Sequence, residues 1–570
     1  MEFQTLKTDV LILGSGGAGL FAALHASKAN PDLDITIAIK GLLGKCGCTR
    51  MVQGGYNVAL SPGDSVERHF MDTINGGKWL PDQAMAMRLC ETAVIRVQEL
   101  ENELGCFFDR NDDGSLHHKA FAGQTFDRTV HKGDLTGIEI ISRLMEQVRA
   151  LPVRLMEEHR AIALLPSRDG AALAGVLMVD MRSGEFRVVQ AKTVLMATGG
   201  GPTMYRYHTP SGDKSMDGLA MALRLGLGLR DMEMVQFHPT GLLAGRDTRM
   251  TGTVLEEGLR GAGGYLLDGD GERFMSNYDV DGERATRDIV SRAIYAEMRA
   301  GRTTPNGGVY ISMSHLGAEL VAQKFPGMVK RCADCGFDLA GGHVEVVPTA
   351  HYLMGGVVVT PDTRTGLEGL FVAGEDAGGA HGANRLGGNG VANSTVFGGI
   401  SGDEMAAQAG RQDYCIDPDS SVIEAAIEQA MIPFAQPVGD INALRDRLLD
   451  LMWDGVGVLR DASGIAQSQA ELASLKMELL ATGLGDNNRV FNLSWHDWLN
   501  LHSLIEVSDV IAAAALSREN SRGAHYREDY PEVGSLEDSY FTIAYRDRDE
   551  VKVERQAVDF SIVKPGESLI

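Results

Sequence analysis

A chain of 570 residues is longer than one ordinary hydrophobic core organises, so roughly two to four domains are expected. Its 44% apolar and 23% charged residues are those of a soluble globular protein, which excludes a disordered or fibrous class. The net charge of −24, from 53 basic and 77 acidic residues, argues against nucleic acid or an anionic membrane surface as partner, while a local pocket can still carry the opposite sign.

The first seven residues lack a basic region followed by an apolar stretch, so no signal peptide is expected, and no apolar run reaches the ~18 residues of a bilayer span. Residues 8–13 (TDVLIL) predict a buried parallel strand, 20–29 a helix after a glycine turn, and 34–39 a second strand. Helical periodicity marks 82–104 and 136–149. Residues 161–165, 175–180 and 186–190 read as a small antiparallel sheet, followed by an apolar strand at 193–197. From 241 to 347 the texture changes to short strands and polar turns, with a helix over 287–299. Glycine-rich strand–turn segments resume at 370–399, so 241–347 reads as an insertion. Helices are predicted over 423–435, 441–453, 465–481 and 495–516, then a turn-rich end with β-like runs at 540–545 and 550–553. The seven cysteines are odd in number and scattered, which fits a reduced chain. Cys332 and Cys335 form a lone CxxC, and Cys46 and Cys48 a lone CxC. A zinc or iron–sulfur centre needs about four ligands, so no metal is expected.

Glycine is the compositional outlier at 69 residues, clustered as in backbone packed against a ligand. Gly14-Ser-Gly16-Gly17-Ala18-Gly19 follows a predicted strand and opens a helix, the G-x-G-x-x-G context of a dinucleotide cradle. Gly14 permits the tight turn, Gly16 lets backbone approach a pyrophosphate, and Gly19 lets helix and strand touch. The acidic residue that an NAD ribose needs is replaced by Lys40, which cannot accept a hydrogen bond. FAD is therefore favoured, with a second contact region at 194–201, including Thr198 and Gly199, and at 370–376, where Glu375 is a candidate acceptor for a ribityl hydroxyl.

Further motifs, in order, are Gln53-Gly54-Gly55, Ala197-Thr-Gly-Gly200, Gln236-Phe-His-Pro-Thr-Gly241, Arg260-Gly, Gly271-Glu-Arg-Phe274, Arg287-Asp-Ile-Val-Ser-Arg292, Pro348-Thr-Ala-His351-Tyr, Gly382-Ala-Asn-Arg-Leu-Gly387 and residues 521–530 (SRGAHYREDY). Together they resemble the flavoprotein subunits of succinate dehydrogenase and fumarate reductase, a family that includes L-aspartate oxidase. The resemblance implies an α/β fold: a Rossmann-type FAD-binding domain (1–240 and 348–410), an inserted α+β capping domain (241–347), a helical domain (411–521) and a small β-containing C-terminal region (522–570). It implies hydride transfer between a dicarboxylate carbon and flavin N5. His351 and Arg385 would hold one carboxylate, with His238 and position 256 at the distal one and Phe121 packing on the substrate. Arg287 would exchange the proton, relayed by Glu257 and Arg260, because a free guanidinium with pKa above ~12 is a poor acid. FAD contacts are expected from the cradle glycines and Ala18, and from Lys40, Cys48, Thr49, Gln53, Gly54, Gly55, Thr198, Gly199, Asp217, Glu375, Arg385 and Asn389.

Three departures from the family pattern stand out. Cys48 occupies the place of a histidine that many members bond covalently to FAD, so non-covalent FAD is expected, and a less oxidising flavin with it. Thioether attachment through Cys48 is the less favoured alternative. Glu256 replaces a threonine at the distal carboxylate, where an ionised acid would repel a substrate carboxylate. Protonation, turning away, or a substituted succinate-like substrate would each relieve that repulsion, and the last is favoured. Residues 388–394 read GNGVANS where the family reads Asn-Ser-Leu-Leu after its glycines.

Electrons must leave to something outside the chain. The first expectation is an iron–sulfur partner subunit, and the protein would then be cytoplasmic or peripheral at the inner membrane through its partners. The alternative is a stand-alone flavoenzyme resembling L-aspartate oxidase or a soluble fumarate reductase.

Overall fold

The computed structural model describes residues 3–245, 248–548 and 550–570. Its largest sheet runs, from one edge, Arg154–Glu157, Ile35–Ile39, Gln4–Leu13, Phe186–Met196, Leu173–Asp180 and His159–Pro166. Leu370–Val372 also pairs with Phe186–Met196, in parallel. The central strands are apolar on both faces because helices cover them, as parallel sheets require. The helix Gly17–Ala29 connects the first two strands and packs on Asn389–Ala409. A Cβ at Gly398 or Gly402 would lie 2.5 or 2.4 Å from the carbonyl oxygens of Ala18 and Ala22, so glycine sets how closely these helices approach.

One expectation changes here. The three antiparallel strands are not a separate small sheet, and residues 186–190 and 193–197 are not two strands. Phe186–Met196 is continuous, because no glycine or proline interrupts it and Gln4–Leu13 pairs along it from Arg187 to Met196. Its first half takes Leu173–Asp180 on the far side and its second half takes Leu370–Val372.

A second lobe is built on the sheet Val235–Leu242, His343–Leu353, Val309–Ser312 and Tyr265–Leu267. The helices Arg287–Arg299, Ala318–Lys324 and Pro326–Ala333 belong to it. Its separate hydrophobic core gathers residues from Leu242 to Val346. The chain enters and leaves this lobe on two antiparallel strands, Val235–Leu242 and His343–Leu353, whose pairing is broken by register shifts at Gln236/Phe237 and between His238 and Gly241. Such bulges re-aim side chains.

The helices Ser420–Met431, Ile441–Gly455, Ala462–Leu480 and Leu493–Ser517 follow. Three begin a few residues before the apolar periodicity does, because Asp419, Asp461 and Asn492 cap their first turns. Leu493–Ser517 is long and apolar enough to cross a membrane by length and composition, but 78% of its apolar 18-residue window is buried inside the protein, as in a core helix. At the end of the chain, Tyr540–Asp547 and Glu550–Ala557 join Leu229–Arg230 and Gly356–Val357 in a four-stranded sheet.

Candidate active site

A cavity of about 490 Å³ runs from the first glycine turn to the junction of the two lobes. At its entrance Gly14 has φ +109°, and a Cβ there would sit 2.2 Å from the carbonyl oxygen of Ala197. A Cβ at Gly19 would sit 2.1 Å from the carbonyl oxygen of Gly14, which is the helix–strand contact expected of that residue. Gly16, Gly17 and Ala18 line the cavity beside the helix N-terminus. The backbone N–H of Gly17 donates to Thr49 Oγ1 (3.0 Å). Ser15 Oγ is buried here with no hydrogen-bond partner among the described residues. A diphosphate fits this entrance: the first turn of the helix presents backbone N–H groups beside the cavity, and Ser15 adds a buried hydroxyl.

Deeper in, Lys40 lines the cavity but is spent on the protein. Its ammonium reaches the Asp213 carbonyl (3.0 Å), Ser215 Oγ (2.8 Å), Asp217 Oδ2 (2.9 Å) and Asn500 Oδ1 (2.7 Å), and burial lowers its pKa to about 8. Its ammonium therefore orients Asp217. Burial would raise the Asp217 carboxyl, but Arg160, donating to Asp217 Oδ1 at 2.6 Å, and Lys40 outweigh burial and hold it low. Thr198 and Gly199 donate their backbone N–H groups to Asp376 Oδ2 (2.5 and 3.0 Å), which shapes the second glycine turn. Glu375 accepts from the N–H groups of Gly201 (3.0 Å) and Leu353 (2.9 Å), and burial still pushes it up to about 7. Lys214 donates to the Thr198 carbonyl (2.7 Å) close to Cys48.

Cys48, Thr49, Gln53, Gly54 and Gly55 all line the cavity. Burial pushes the Cys48 thiol up to about 12, so it stays a thiol and not the reactive thiolate. Asn389 is a correction. Its side chain accepts from Asn57 Nδ2 (2.7 Å), pairs with His69 Nε2 (2.9 Å) and donates to Thr73 (3.1 Å), so it is a buried structural hub. Gly388, at φ +88°, packs on Asn57 and directs Asn389 inward, and Gly388 and Gly390 take the lining instead.

At the junction of the lobes two guanidiniums converge on one acceptor. Gln236 Oε1 accepts from Arg287 Nη1 (3.2 Å) and from Arg385 Nη2 (3.1 Å). Gln236 is fixed in turn by donating to Asn384 Oδ1 (2.9 Å) and the Arg385 carbonyl (2.8 Å). Arg287, the first residue of its helix, also donates from Nε (2.8 Å) and Nη2 (2.6 Å) to Glu257 Oε2. Arg260 lies behind, fully buried and off the cavity, with Nη2 at 3.8 Å from Glu257 Oε1 and Nη1 donating to the Glu283 carbonyl (2.6 Å). Burial would raise Glu257, but Arg287 and Arg260 prevail and hold it below the ordinary carboxylate range. Arg385 stacks 4.5 Å over Tyr352, and burial, with Arg287 beside it, lowers its pKa to about 10. Its Nε is buried without a partner among the described residues. Two like charges held this close, one with an unspent donor, make a site for an anion.

The histidines complete it. His351 is the extra residue of the bulge between Gln236↔Tyr352 and Phe237↔Ala350, which turns it toward the cavity. Its Nδ1 meets Thr209 Oγ1 at 2.7 Å, and its ring lies 5.4 Å from that of His238. His238 Nδ1 accepts the Thr240 N–H (3.3 Å), which leaves its proton on Nε2. Burial first, then Arg287, keeps both imidazoles far below their usual pKa, so they act as neutral donors. Phe121 closes one wall against Gly54 and Gly387. Glu256 neither turns away nor stands alone: it lines the cavity and its Oε1 accepts from Lys119 Nζ at 2.9 Å.

Sequence reasoning quoted Gln236 within a motif and gave it no role. Its spacing of two from His238 places both on one strand face, and that signal was readable. Tyr352 likewise lies within a motif without an assigned role, whereas Lys119 and Lys214 carried no local signal; long-range packing brings them in.

The family model described as FAD binding domain matches residues 9–391, and that described as fumarate reductase flavoprotein C-term matches 445–569. The chain is 39% identical over 541 residues to a subunit of the fumarate reductase (CoM/CoB) of Methanothermobacter marburgensis, covering 94% of this chain and 96% of that one. It is 32% identical over 586 residues to the fumarate reductase flavoprotein subunit of Escherichia coli, covering 99% and 96%. Among solved structures, an E. coli quinol fumarate reductase FrdA variant superposes with a TM-score of 0.92 at 31% identity over 99% of each chain.

Proposed function

The chain belongs to the fumarate reductase and succinate dehydrogenase flavoprotein family, and from that premise we propose that it interconverts fumarate and succinate as the FAD-carrying member of a larger complex. The observation that carries this reading is the meeting of Arg287 and Arg385 on Gln236 Oε1, in a cavity continuous with the dinucleotide cradle.

FAD supplies a hydride at N5 when reduced, or accepts one in the opposite direction. Everything else is the work of this chain. Arg385, with its free Nε–H, and His351 grip one carboxylate, and His238 donates its Nε2–H toward the other. Their hydrogen bonds draw electron density out of the double bond and stabilise the negative charge that develops on the carboxylate. Arg287 moves a proton at the carbon next to the one that exchanges hydride. Glu257, held ionised against it, and Arg260 behind form the relay that returns the proton. Gln236 sets the distance between the binding and proton-transferring guanidiniums, and the second lobe excludes water.

The naming of the relatives as subunits supports a complex and speaks against a stand-alone flavoenzyme. An iron–sulfur protein is the partner class we infer, with peripheral membrane attachment through it. The test is anaerobic turnover of the FAD-loaded chain with reduced benzyl viologen and fumarate. One succinate per electron pair is expected; no succinate above that of flavin-free chain would defeat the proposal.

Cys48 lines the cavity as a half-buried thiol held in its protonated form, a poor nucleophile, and this supports non-covalent FAD. Acid precipitation of the holoprotein is expected to leave yellow FAD in the supernatant and a colourless pellet. A flavin-coloured pellet, with fluorescence in denaturing gels, would place the bond at Cys48.

A further inference from the structure

Glu256 raises a problem that the dicarboxylate reading does not itself solve. It sits in the wall of an anion site, and among the described residues no side chain or backbone N–H donates to its Oε2. We propose that Lys119 is a positioning residue for substrate charge: by pairing with Glu256 it cancels the acid in the cavity wall, so that a dianion can seat its distal carboxylate there. This inference rests on the dicarboxylate function proposed above.

The geometry supports it in three ways. Lys119 Nζ reaches Glu256 Oε1 at 2.9 Å and is aimed by a second acceptor, the Gly133 carbonyl, at 2.9 Å. The Glu256 side chain is only 7% exposed and that of Lys119 23%, so solvent does little to screen the acid if its partner is removed. Lys119 is not itself among the residues lining the cavity, so it acts through Glu256 and not by touching substrate. The two partners also come from different lobes. Lys119 lies on the strand His118–Lys119, which pairs through Thr129–Val130 to Tyr56–Asn57, whereas Glu256 precedes the short helix Gly258–Gly261 of the second lobe. The charge is therefore cancelled only while the second lobe sits on the first, which couples the site's acceptance of a dianion to lobe contact.

The experiment is a double-substitution cycle on the full FAD-loaded chain, with fumarate as substrate and reduced benzyl viologen as electron source. Lys119→Met is expected to raise the KM for fumarate about tenfold, with kcat changed less than about twofold. Lys119→Arg should restore the KM. In a Glu256→Gln background Lys119→Met should change the KM by less than about threefold, because no charge is left to cancel. Inhibition constants give a readout that a merely structural role would not move. Lys119→Met should weaken succinate about tenfold but its monoamide, succinamate, by less than about threefold. Equal losses in both backgrounds, equal losses for both inhibitors, or an unchanged KM would each overturn the proposal. If Lys119→Met fails to hold FAD, Glu256→Gln alone decides: its KM should fall or stay level, and a rise sinks the idea. A wild-type chain that makes no succinate defeats the functional reading and this inference together. An active wild type with insensitive Lys119 variants defeats the inference alone.

Discussion

Replacing Arg287 with alanine is expected to lower kcat for fumarate reduction about 10³-fold or more, at the upper part of what a positioned acid or base contributes, while the affinity for a dicarboxylate changes only a few-fold. The asymmetry follows from its partners. Arg287 is tied to Glu257 Oε2 by two hydrogen bonds and to Gln236 by a third, so its place is fixed without any substrate. On the function proposed here the carboxylate grip belongs to Arg385 and His351, which remain. A lysine in its place keeps one charge but cannot hold Glu257 through two donors and reach Gln236 with a third. Arg287→Lys should therefore recover only a small part of the rate. Stopped-flow reoxidation of the reduced holoprotein by fumarate separates the two parameters. A variant with normal kcat and a raised KM would show that Arg287 binds and does not transfer the proton.

Arg385→Leu is expected to raise the KM for fumarate by about 10²- to 10³-fold, the usual consequence of removing a buried charge partner of a carboxylate. Its side chain is buried, stacked on Tyr352, and keeps an unpartnered Nε. An incoming carboxylate gives that donor its first partner and relieves the repulsion between Arg385 and Arg287. Leucine keeps much of the packing volume while removing both effects, so FAD content and thermal stability should be close to wild type. A KM within a few-fold of wild type would mean that the substrate acid sits elsewhere.

Much of this was legible in the sequence because it depends on local patterns. The helices over 136–149 and 287–299 fall where their periodicity places them. Gly14 and Gly19 do what a strand–turn–helix glycine turn requires, since the contacts that forbid a Cβ lie within a few residues or on the neighbouring strand. Arg287, Glu257 and Arg385 were found through motifs, and the fold brings them within hydrogen-bonding distance of one another or of one shared acceptor. What escaped depends on distant pairing. The bulge that turns His351 toward the cavity exists only when strands more than 100 residues apart meet out of register. Asn389 follows a glycine-rich turn as a ligand contact would, yet packing of Gly388 on Asn57 sends it into the protein. Lys119 lies 137 residues from Glu256, and nothing in either segment announces the pair. Lys40 ends the second strand as its position in the sequence implies, but its task of holding Asp217 needs Ser215 and Asn500, which only the fold supplies.

The central claim is spatial, and a crystal structure of the oxidised, FAD-loaded chain with fumarate tests it most directly. One fumarate carboxylate should lie within hydrogen-bonding distance of Arg385 and His351, with the Arg287 guanidinium beside the double bond and flavin N5 across it. Fumarate bound away from both arginines, or Arg287 and Arg385 each turned to bulk solvent, would contradict the account.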